Sequence, residues 1–240
     1  MALRASPRLL LPAALALVGV VVLIGLGSWQ IERKAWKEEL IATLERRLRA
    51  TPVSLPPPAQ WTRISAVDFE FVRVRVQVEW PGGNDALLYT AGSALRDDAK
   101  SQGYFVFSPA RALGVGTVVV NRGFVPQTTY PRASGVQDIV GVLRWPEAPS
   151  WFVVAHDTAG TIWSLRDHRA MAALKGWGEV APFYIDQEAP VPSGGLPHPS
   201  ALKVQLRNDH LQYAITWYAL AAVLAVMFAI WAWRRRGEAH

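Results

Sequence analysis

Two long uncharged apolar runs constrain the fold of this chain more than any other feature. The first covers residues 9–29, and the second covers residues 211–233. About 20 helical residues suffice to cross the hydrocarbon core of a bilayer. Helices of soluble proteins usually alternate apolar and polar faces, and neither run does so. We therefore predict two transmembrane helices that frame a central domain.

The first run has a second interpretation, as a cleaved signal peptide. Arg4 and Arg8 form a basic n-region, and Gly25 and Gly27 are small residues at cleavage spacing. The apolar stretch is longer than the usual h-region of about 7–15 residues. We therefore favour a retained membrane anchor.

Basic residues near the runs bear on membrane orientation. Three arginines, Arg234, Arg235 and Arg236, follow the second run at once. Lys and Arg favour the cytoplasmic side, so residues 1–8 and the basic tail 234–240 are predicted to be cytoplasmic. The basic residues between 33 and 49 oppose this orientation, but long connecting domains translocate largely regardless of charge. We expect a multi-pass inner-membrane protein whose central domain is external, in the periplasm or the mitochondrial intermembrane space.

Residues 30–50 are predicted to form a juxtamembrane amphipathic helix that ends before Pro52. Residues 51–210 then form the external domain. Short β-branched or aromatic runs separated by Gly, Pro or Asp are typical of an antiparallel sandwich or open barrel. The predicted strands cover residues 69–80, 87–91, 103–108, 117–125, 139–145, 151–155 and 183–185. One short helix is predicted at 167–174 with Asp167 as its N-cap, and 188–199 reads as a linker.

Composition excludes several classes of function. The chain has 240 residues, 25 basic and 19 acidic side chains, and no cysteine. The absence of cysteine removes disulfide frameworks, thiol nucleophiles and cysteine-ligated metal centres. Much of the basic surplus lies in the terminal segments beyond the two apolar runs, and the central domain is only mildly basic. A nucleic-acid-binding domain would cluster Lys and Arg on one face, so we predict no nucleic-acid partner, and we expect membrane lipid to surround the apolar runs.

Catalytic signatures are missing from the sequence. There is no HExxH, Walker or GxSxG motif, and Gly114-Val115-Gly116 precedes a strand and reads as a hairpin turn. His156 and His168 each adjoin an aspartate, which leaves a membrane-tethered hydrolase as a third hypothesis. His198 is predicted to be exposed and His240 to lie in a solvated tail. We predict that the chain is not an enzyme.

His210 differs from these histidines because it stands at the start of the second apolar run. A helix beginning there places His210, Tyr213 and Trp217 on one side. A neutral imidazole flanked by aromatic rings at the external membrane surface is a competent axial ligand for haem iron. The alternative is a histidine that caps or anchors the helix at the interface, where Tyr and Trp are also common.

Three stretches together resemble the Surfeit-one family of cytochrome c oxidase assembly factors. They are GSWQIERKAWK at 27–37, VNRGFVP at 120–126 and NDHLQYAITWYAL at 208–220. Their order, their spacing and the two-span frame cover nearly the whole chain. One departure is Phe124, where the family often has Trp.

The resemblance implies a factor that binds haem a transiently and assists its delivery to the catalytic subunit of a haem-copper oxidase, with haem a synthase as a further partner. His210 matches the histidine proposed as the haem ligand of the family. Other motif positions are matched by Trp29, Gln30, Arg33, Asn121, Arg122, Gly123, Tyr213 and Trp217.

Physical roles are open for some of these residues. Trp29 can lie at the headgroup level, and Gln30 can hydrogen-bond the second span at Gln212 or Thr216. Arg122 can meet a haem propionate or form a structural salt bridge. For the whole chain, the alternative is a membrane-anchored scaffold that stabilises an oxidase assembly intermediate without binding a cofactor.

Overall fold

The computed structural model describes residues 7–93, 99–147, 162–203 and 207–237. These residues belong to two compact units. The first unit combines the chain up to Thr43 with the chain from Leu206 onward, and the second runs from Leu44 to Gln205.

The described helices are α1 (Pro7–Arg49), α2 (Ala66–Phe69), α3 (His168–Lys175) and α4 (His210–Gly237). The described strands are β1 (Val53–Ser54), β2 (Arg73–Trp80), β3 (Ala86–Thr90), β4 (Gly103–Ala112), β5 (Gly116–Val125), β6 (Gly135–Arg144), β7 (Ile162–Trp163) and β8 (Tyr184–Ala189). Pro58–Gln60 add a single 3-10 turn.

Helices α1 and α4 are both long and apolar enough to cross a membrane. Only 6% and 11% of their most apolar windows are buried within the chain, so neither is the core helix of a soluble domain. Helix α1 is continuous through the stretches predicted as the first span and as the juxtamembrane helix. The chain is a membrane-anchored protein with a β-rich domain between two apolar helices.

Strand β2 shows why this domain forms sheet. Its residues alternate between the core and solvent, with Val74, Val76 and Val78 buried and the residues between them exposed. The predicted start at residue 69 was wrong. Ser65 donates its hydroxyl to Asp68 Oδ2 at 2.9 Å, and residues 66–69 form α2 instead. Phe71 then adopts a φ of 64°, which interrupts the extended chain before β2 begins.

Five strands close into a ring. They pair in the order β2-β6-β8-β5-β4, and β4 returns to β2 through Val78 opposite Ala112 and Glu79 opposite Arg111. The predicted antiparallel, barrel-like domain is confirmed, although β5–β8 pair in parallel, as do the β1–β2 and β3–β7 edges. Beyond the ring, β3 and β7 extend the sheet from β4.

Two apolar clusters form the core. The first gathers inward side chains of the ring around Phe183, against which Trp61 packs edge-on with a ring-centroid distance of 5.8 Å. The second lies on the other face of β3, β4 and β5, where Phe105, Phe107 and Met171 are fully buried. Helix α3 supplies Met171, so α3 covers this face of the sheet.

The predicted helix near residue 167 is confirmed. Asp167 accepts hydrogen bonds from the backbone N–H groups of Arg169 and Ala170, and Gly176 ends α3 in the left-handed conformation. The hairpin turn before Gly116 is also present. Strand β8 extends to Ala189 into the predicted linker, while β1 and β7 were not predicted. The strand expected at 151–155 lies outside the described residues.

Candidate cofactor site

Small residues of α1 let α4 approach closely. A Cβ added at Gly27 would lie 2.7 Å from the ring of Tyr218, and one at Gly19 would lie 2.8 Å from Leu224 Cδ2. The Tyr218 hydroxyl and the Ser28 hydroxyl are 3.1 Å apart, within hydrogen-bond distance. Interhelical contacts of this kind, with small residues at the crossing, are typical of packed membrane helices. They fix the register of the two helices just before Gln30.

Gln30 and His210 form the central contact of this helix pair. The Nδ1 atom of His210 lies 2.7 Å from Gln30 Oε1. With its amide oxygen facing the ring, Gln30 can only accept, so in this arrangement Nδ1 donates the hydrogen bond. In this tautomer Nε2 has the free lone pair that binds a metal. Gln30 therefore orients the ring as outer partners of metal-bound histidines do.

The imidazole opens on a cleft of about 280 Å³. Its walls contain Gln30, Lys37, Arg207, Asp209, His210 and Tyr213. The ammonium of Lys37 donates to the backbone carbonyl of Arg207, and the Arg207 guanidinium pairs with the Asp209 carboxylate. The cleft thus combines one imidazole nitrogen with a free lone pair, one aromatic ring and a cationic rim.

The structure brings together only part of the predicted site. Tyr213 is 56% exposed on the cleft beside His210. Trp29 is exposed and Trp217 is half-buried, and neither lines the cleft. Gln30 does bond α4, although its partner is His210 and not Gln212 or Thr216. All six site assignments remain predictions, because a hydrogen bond between two helices does not identify a ligand.

Sequence reasoning missed Lys37, Arg207 and Asp209 as members of the cleft. Lys37 was part of the first motif stretch, and it follows Gln30 by seven residues, which returns it to the same helix face. That spacing was a usable signal. Arg207 and Asp209 lie just before α4, outside the helix, so helical periodicity could not predict that they line the cleft.

Arg122, the predicted propionate partner, lies in the β-rich unit and is 6% exposed. Its Nη2 donates to the Pro131 carbonyl at 3.2 Å, and its guanidinium stands 5.6 Å from the centre of the Trp80 ring. Burial lowers the pKa of Arg122, and the charge of Asp85 partly offsets that effect. Among the described residues no carboxylate forms a salt bridge with Arg122, so its contacts match neither form of the expectation closely.

One guanidinium nitrogen of Arg122 has no hydrogen-bond partner among the described residues. This atom, Nη1, is buried. A buried guanidinium donor normally finds a water or a ligand. Arg122 is only 6% exposed, and its propionate role stays a prediction.

Its neighbours in the second motif hold the domain together. Asn121 Nδ2 donates to the buried Asp186 carboxylate at 2.9 Å, and the Gly123 N–H donates to Asn121 Oδ1 at 3.1 Å. Gly123 has a φ of 119°, and a Cβ there would lie 2.1 Å from the His198 carbonyl oxygen. Phe124 and His198 exchange backbone hydrogen bonds at this crossing. Only glycine allows that approach.

Of the remaining histidines the structure describes two, His168 and His198, and neither lies in an arrangement typical of a hydrolytic site. His168 is fully buried, with Nε2 3.0 Å from the Ala181 carbonyl, and burial lowers its pKa to about 4. His198 is exposed, as predicted, while His156 and His240 lie outside the described residues. Within the described part of the chain, no three His, Asp or Glu side chains are placed to hold a metal ion.

Comparison with known proteins settles the family. The SURF1 family matches residues 17–222, from α1 through the β-rich domain into α4. The chain belongs to the SURF1 family. Surfeit locus protein 1 of Homo sapiens is 32% identical over 226 residues, covering 87% of this chain and 73% of the human protein. A SURF1-like protein of Monosiga brevicollis is 35% identical over 234 residues, covering 90% of this chain and 84% of that protein.

SURF1 membership confirms the resemblance carried by the three motif stretches. The matched region contains Gln30, Arg122 and His210, so the helix-pair cleft and the buried second motif both lie within the SURF1 portion of the chain. Rat Surfeit locus protein 1 gives a similar match, 32% identical over 219 residues, with 85% of this chain and 70% of the rat protein covered.

Proposed function

We propose that this SURF1-family chain is an assembly factor for a haem-copper oxidase, and that it holds haem a transiently with His210 as the iron ligand. Family membership supports the assembly role. The observation that carries the haem role is the bond from His210 Nδ1 to Gln30, because it leaves Nε2 as the lone-pair donor. The role is that of a carrier, without a catalysed reaction.

The residues of the cleft fit such a group. When bound, haem iron accepts a nitrogen lone pair, and Nε2 of His210 supplies one. Tyr213 offers an exposed ring for contact with a flat macrocycle. At about 280 Å³ the cleft lies just under the range of ligand-enclosing sites, roughly 300–1,000 Å³. A macrocycle would therefore remain partly outside it, which suits a protein that must release its cargo.

The proposed setting is the inner membrane. Both termini are cytoplasmic, or on the matrix side in a mitochondrion, and the β-rich domain is external. The support is the arginine cluster of residues 234–236 at the end of the second apolar run. The proposed partners are the catalytic oxidase subunit, haem a synthase and the surrounding lipid.

An absorption spectrum of detergent-purified protein tests the haem role. The protein is made in cells that synthesise haem a, as the wild type, as His210→Ala and as His198→Ala. His198 is an exposed histidine of the β-rich unit and serves as the matched control. The pyridine haemochrome should show haem a in the wild type and the control, and much less in His210→Ala.

Two results would contradict the proposal. Full haem occupancy in His210→Ala would remove His210 as the ligand. Absence of haem from every variant, in cells proven to make haem a, would favour a scaffold that steadies the oxidase subunit without touching a cofactor. Substitution of the α4 aromatics should then lower oxidase yield without changing any spectrum of the purified factor.

A further inference from the structure

Lys37 is the unassigned charged group of the cleft. It follows Gln30 by seven residues, which is about two turns or roughly 10 Å along α1. Both side chains line the same cleft as His210. The ammonium of Lys37 uses one donor on the Arg207 carbonyl. An ammonium has three donors, so two remain for a ligand.

The charges of the cleft leave a surplus at Lys37. Arg207 is 86% exposed at its side chain and is paired with Asp209, so those two charges offset each other. Lys37 is half-buried and has no carboxylate partner among the described residues. The lining therefore has a net charge of about one positive unit when His210 is neutral. It suits one anionic oxygen group better than two.

We infer that Lys37 binds a carboxylate of the cargo while His210 binds its iron, an inference that rests on the proposed function. Both groups line the same cleft, so one ligand can contact both. A macrocycle with peripheral carboxylates is a rigid ligand that contains both a metal and an anionic group. Contacts to both groups therefore define its orientation and increase its affinity. A charge-assisted hydrogen bond from Lys37 supplies the second contact.

A titration with haem a and with its dimethyl ester isolates this contact. The ester keeps the iron and the ring but lacks both carboxylates. The wild type, Lys37→Gln and Lys34→Gln are placed in nanodiscs of phosphatidylcholine, and dissociation constants are read from the Soret band. Lys34 is the matched control, because it lies on the same helix, pairs with Glu38 at 2.6 Å and does not line the cleft.

The wild type should bind haem a about five-fold more tightly than the ester, the size of a partly exposed ion pair. Lys37→Gln should abolish that preference by weakening only the acid, and Lys34→Gln should retain it. Equal weakening of acid and ester by Lys37→Gln would overturn the carboxylate contact, as would an unchanged preference.

His210→Ala in the same assay separates this inference from the proposed function. If His210→Ala leaves both affinities unchanged, the ligand assignment fails. If it weakens both while Lys37→Gln has no selective effect, only the Lys37 inference fails.

A second set of nanodiscs distinguishes the cargo from a lipid phosphate as the anion. The inference expects the preference for the acid to persist when phosphatidylglycerol replaces phosphatidylcholine. Loss of the preference in phosphatidylglycerol alone would show that a lipid headgroup occupies Lys37, and would overturn the inference.

Discussion

The first and third motif stretches differ from the second in how they use polar side chains. In the helix pair, Gln30, His210 and Lys37 converge on an open cleft. In the β-rich unit, Asn121 and Asp186 satisfy each other in the core. Buried polar groups whose hydrogen bonds are all satisfied contribute to stability. Polar groups that line a cavity and keep a free lone pair can bind a ligand. Family motifs therefore mix two kinds of residue, which substitutions can separate.

The largest effect is expected at Gly123. Gly123→Ala places a methyl group against the His198 carbonyl and forces a side chain into a φ of 119°. We expect a loss of about 4 kcal/mol in the free energy of unfolding. Thermal unfolding followed by Trp fluorescence measures it. Gly194→Ala, with open space around its Cβ, is the control. Equal stability of the two variants would mean that Gly123 is not required for folding of the β-rich unit.

The next effect is pH-dependent and involves His168. Its pKa is about 4 in the folded domain, against about 6.5 when unfolded, because it is buried. Between these values the unfolded state binds more protons, so stability falls as the pH falls from about 6.5 to 4. The loss is at most roughly 3 kcal/mol.

Unfolding of the wild type and of His168→Gln across this range isolates the histidine from other titrating groups. The variant should show a shallower dependence on pH. Parallel curves for the two proteins would mean that His168 is not held neutral by burial.

Asn121→Ala should have an intermediate effect. It removes the hydrogen bond to the buried Asp186 carboxylate and the bond accepted from Gly123. Hydrogen bonds to charged groups contribute about 1.5–3 kcal/mol, so we expect a loss near 2 kcal/mol in unfolding free energy. Gln77→Ala, on the solvent face of β2, should stay within about 0.5 kcal/mol of the wild type. A loss in haem content without a loss in stability would indicate that Asn121 contributes to ligand binding and not to folding.

The smallest effect is expected at Gln30. Gln30→Leu removes the acceptor of the His210 Nδ1 proton and frees the ring to rotate. Outer partners of metal ligands are typically worth 10- to 100-fold in affinity, and for this open cleft we expect about ten-fold weaker haem binding at unchanged thermal stability. A Soret titration measures it, with Thr216→Val as a control because Thr216 bonds only within α4 among the described residues. Unchanged affinity would separate Gln30 from the site.

The sequence predicted the two apolar helices and the barrel-like domain because both follow from patterns of burial. Long uninterrupted apolar runs indicate membrane-spanning helices. The alternation from Val74 to Trp80 indicates a strand with one face in the core and the other in solvent. The ring closure depends on two residue pairs between β2 and β4, far apart in the chain, and no local pattern encodes them. Phe69, the first residue of the predicted strand, is instead the last residue of α2, whose first turn contains the Ser65–Asp68 hydrogen bond.

The site could be predicted only in part for the same reason. The position of His210 at the start of an apolar run and the spacing from Gln30 to Lys37 are local signals. The pairing of Gln30 with His210 spans 180 positions and needs the helix packing around Gly27 and Tyr218. The burial of Arg122 under Trp80 is equally non-local, so a side chain assigned to a ligand by its motif proved to be enclosed.

The most direct test of this account measures haem content per folded molecule together with thermal stability for two variants in one preparation series. His210→Ala should keep the wild-type unfolding temperature of the β-rich unit and lose its haem. Asn121→Ala should lose stability and keep wild-type haem content in the fraction that remains folded. Retention of haem by His210→Ala, or loss of haem from folded Asn121→Ala, would contradict a ligand role for His210 and a structural role for Asn121.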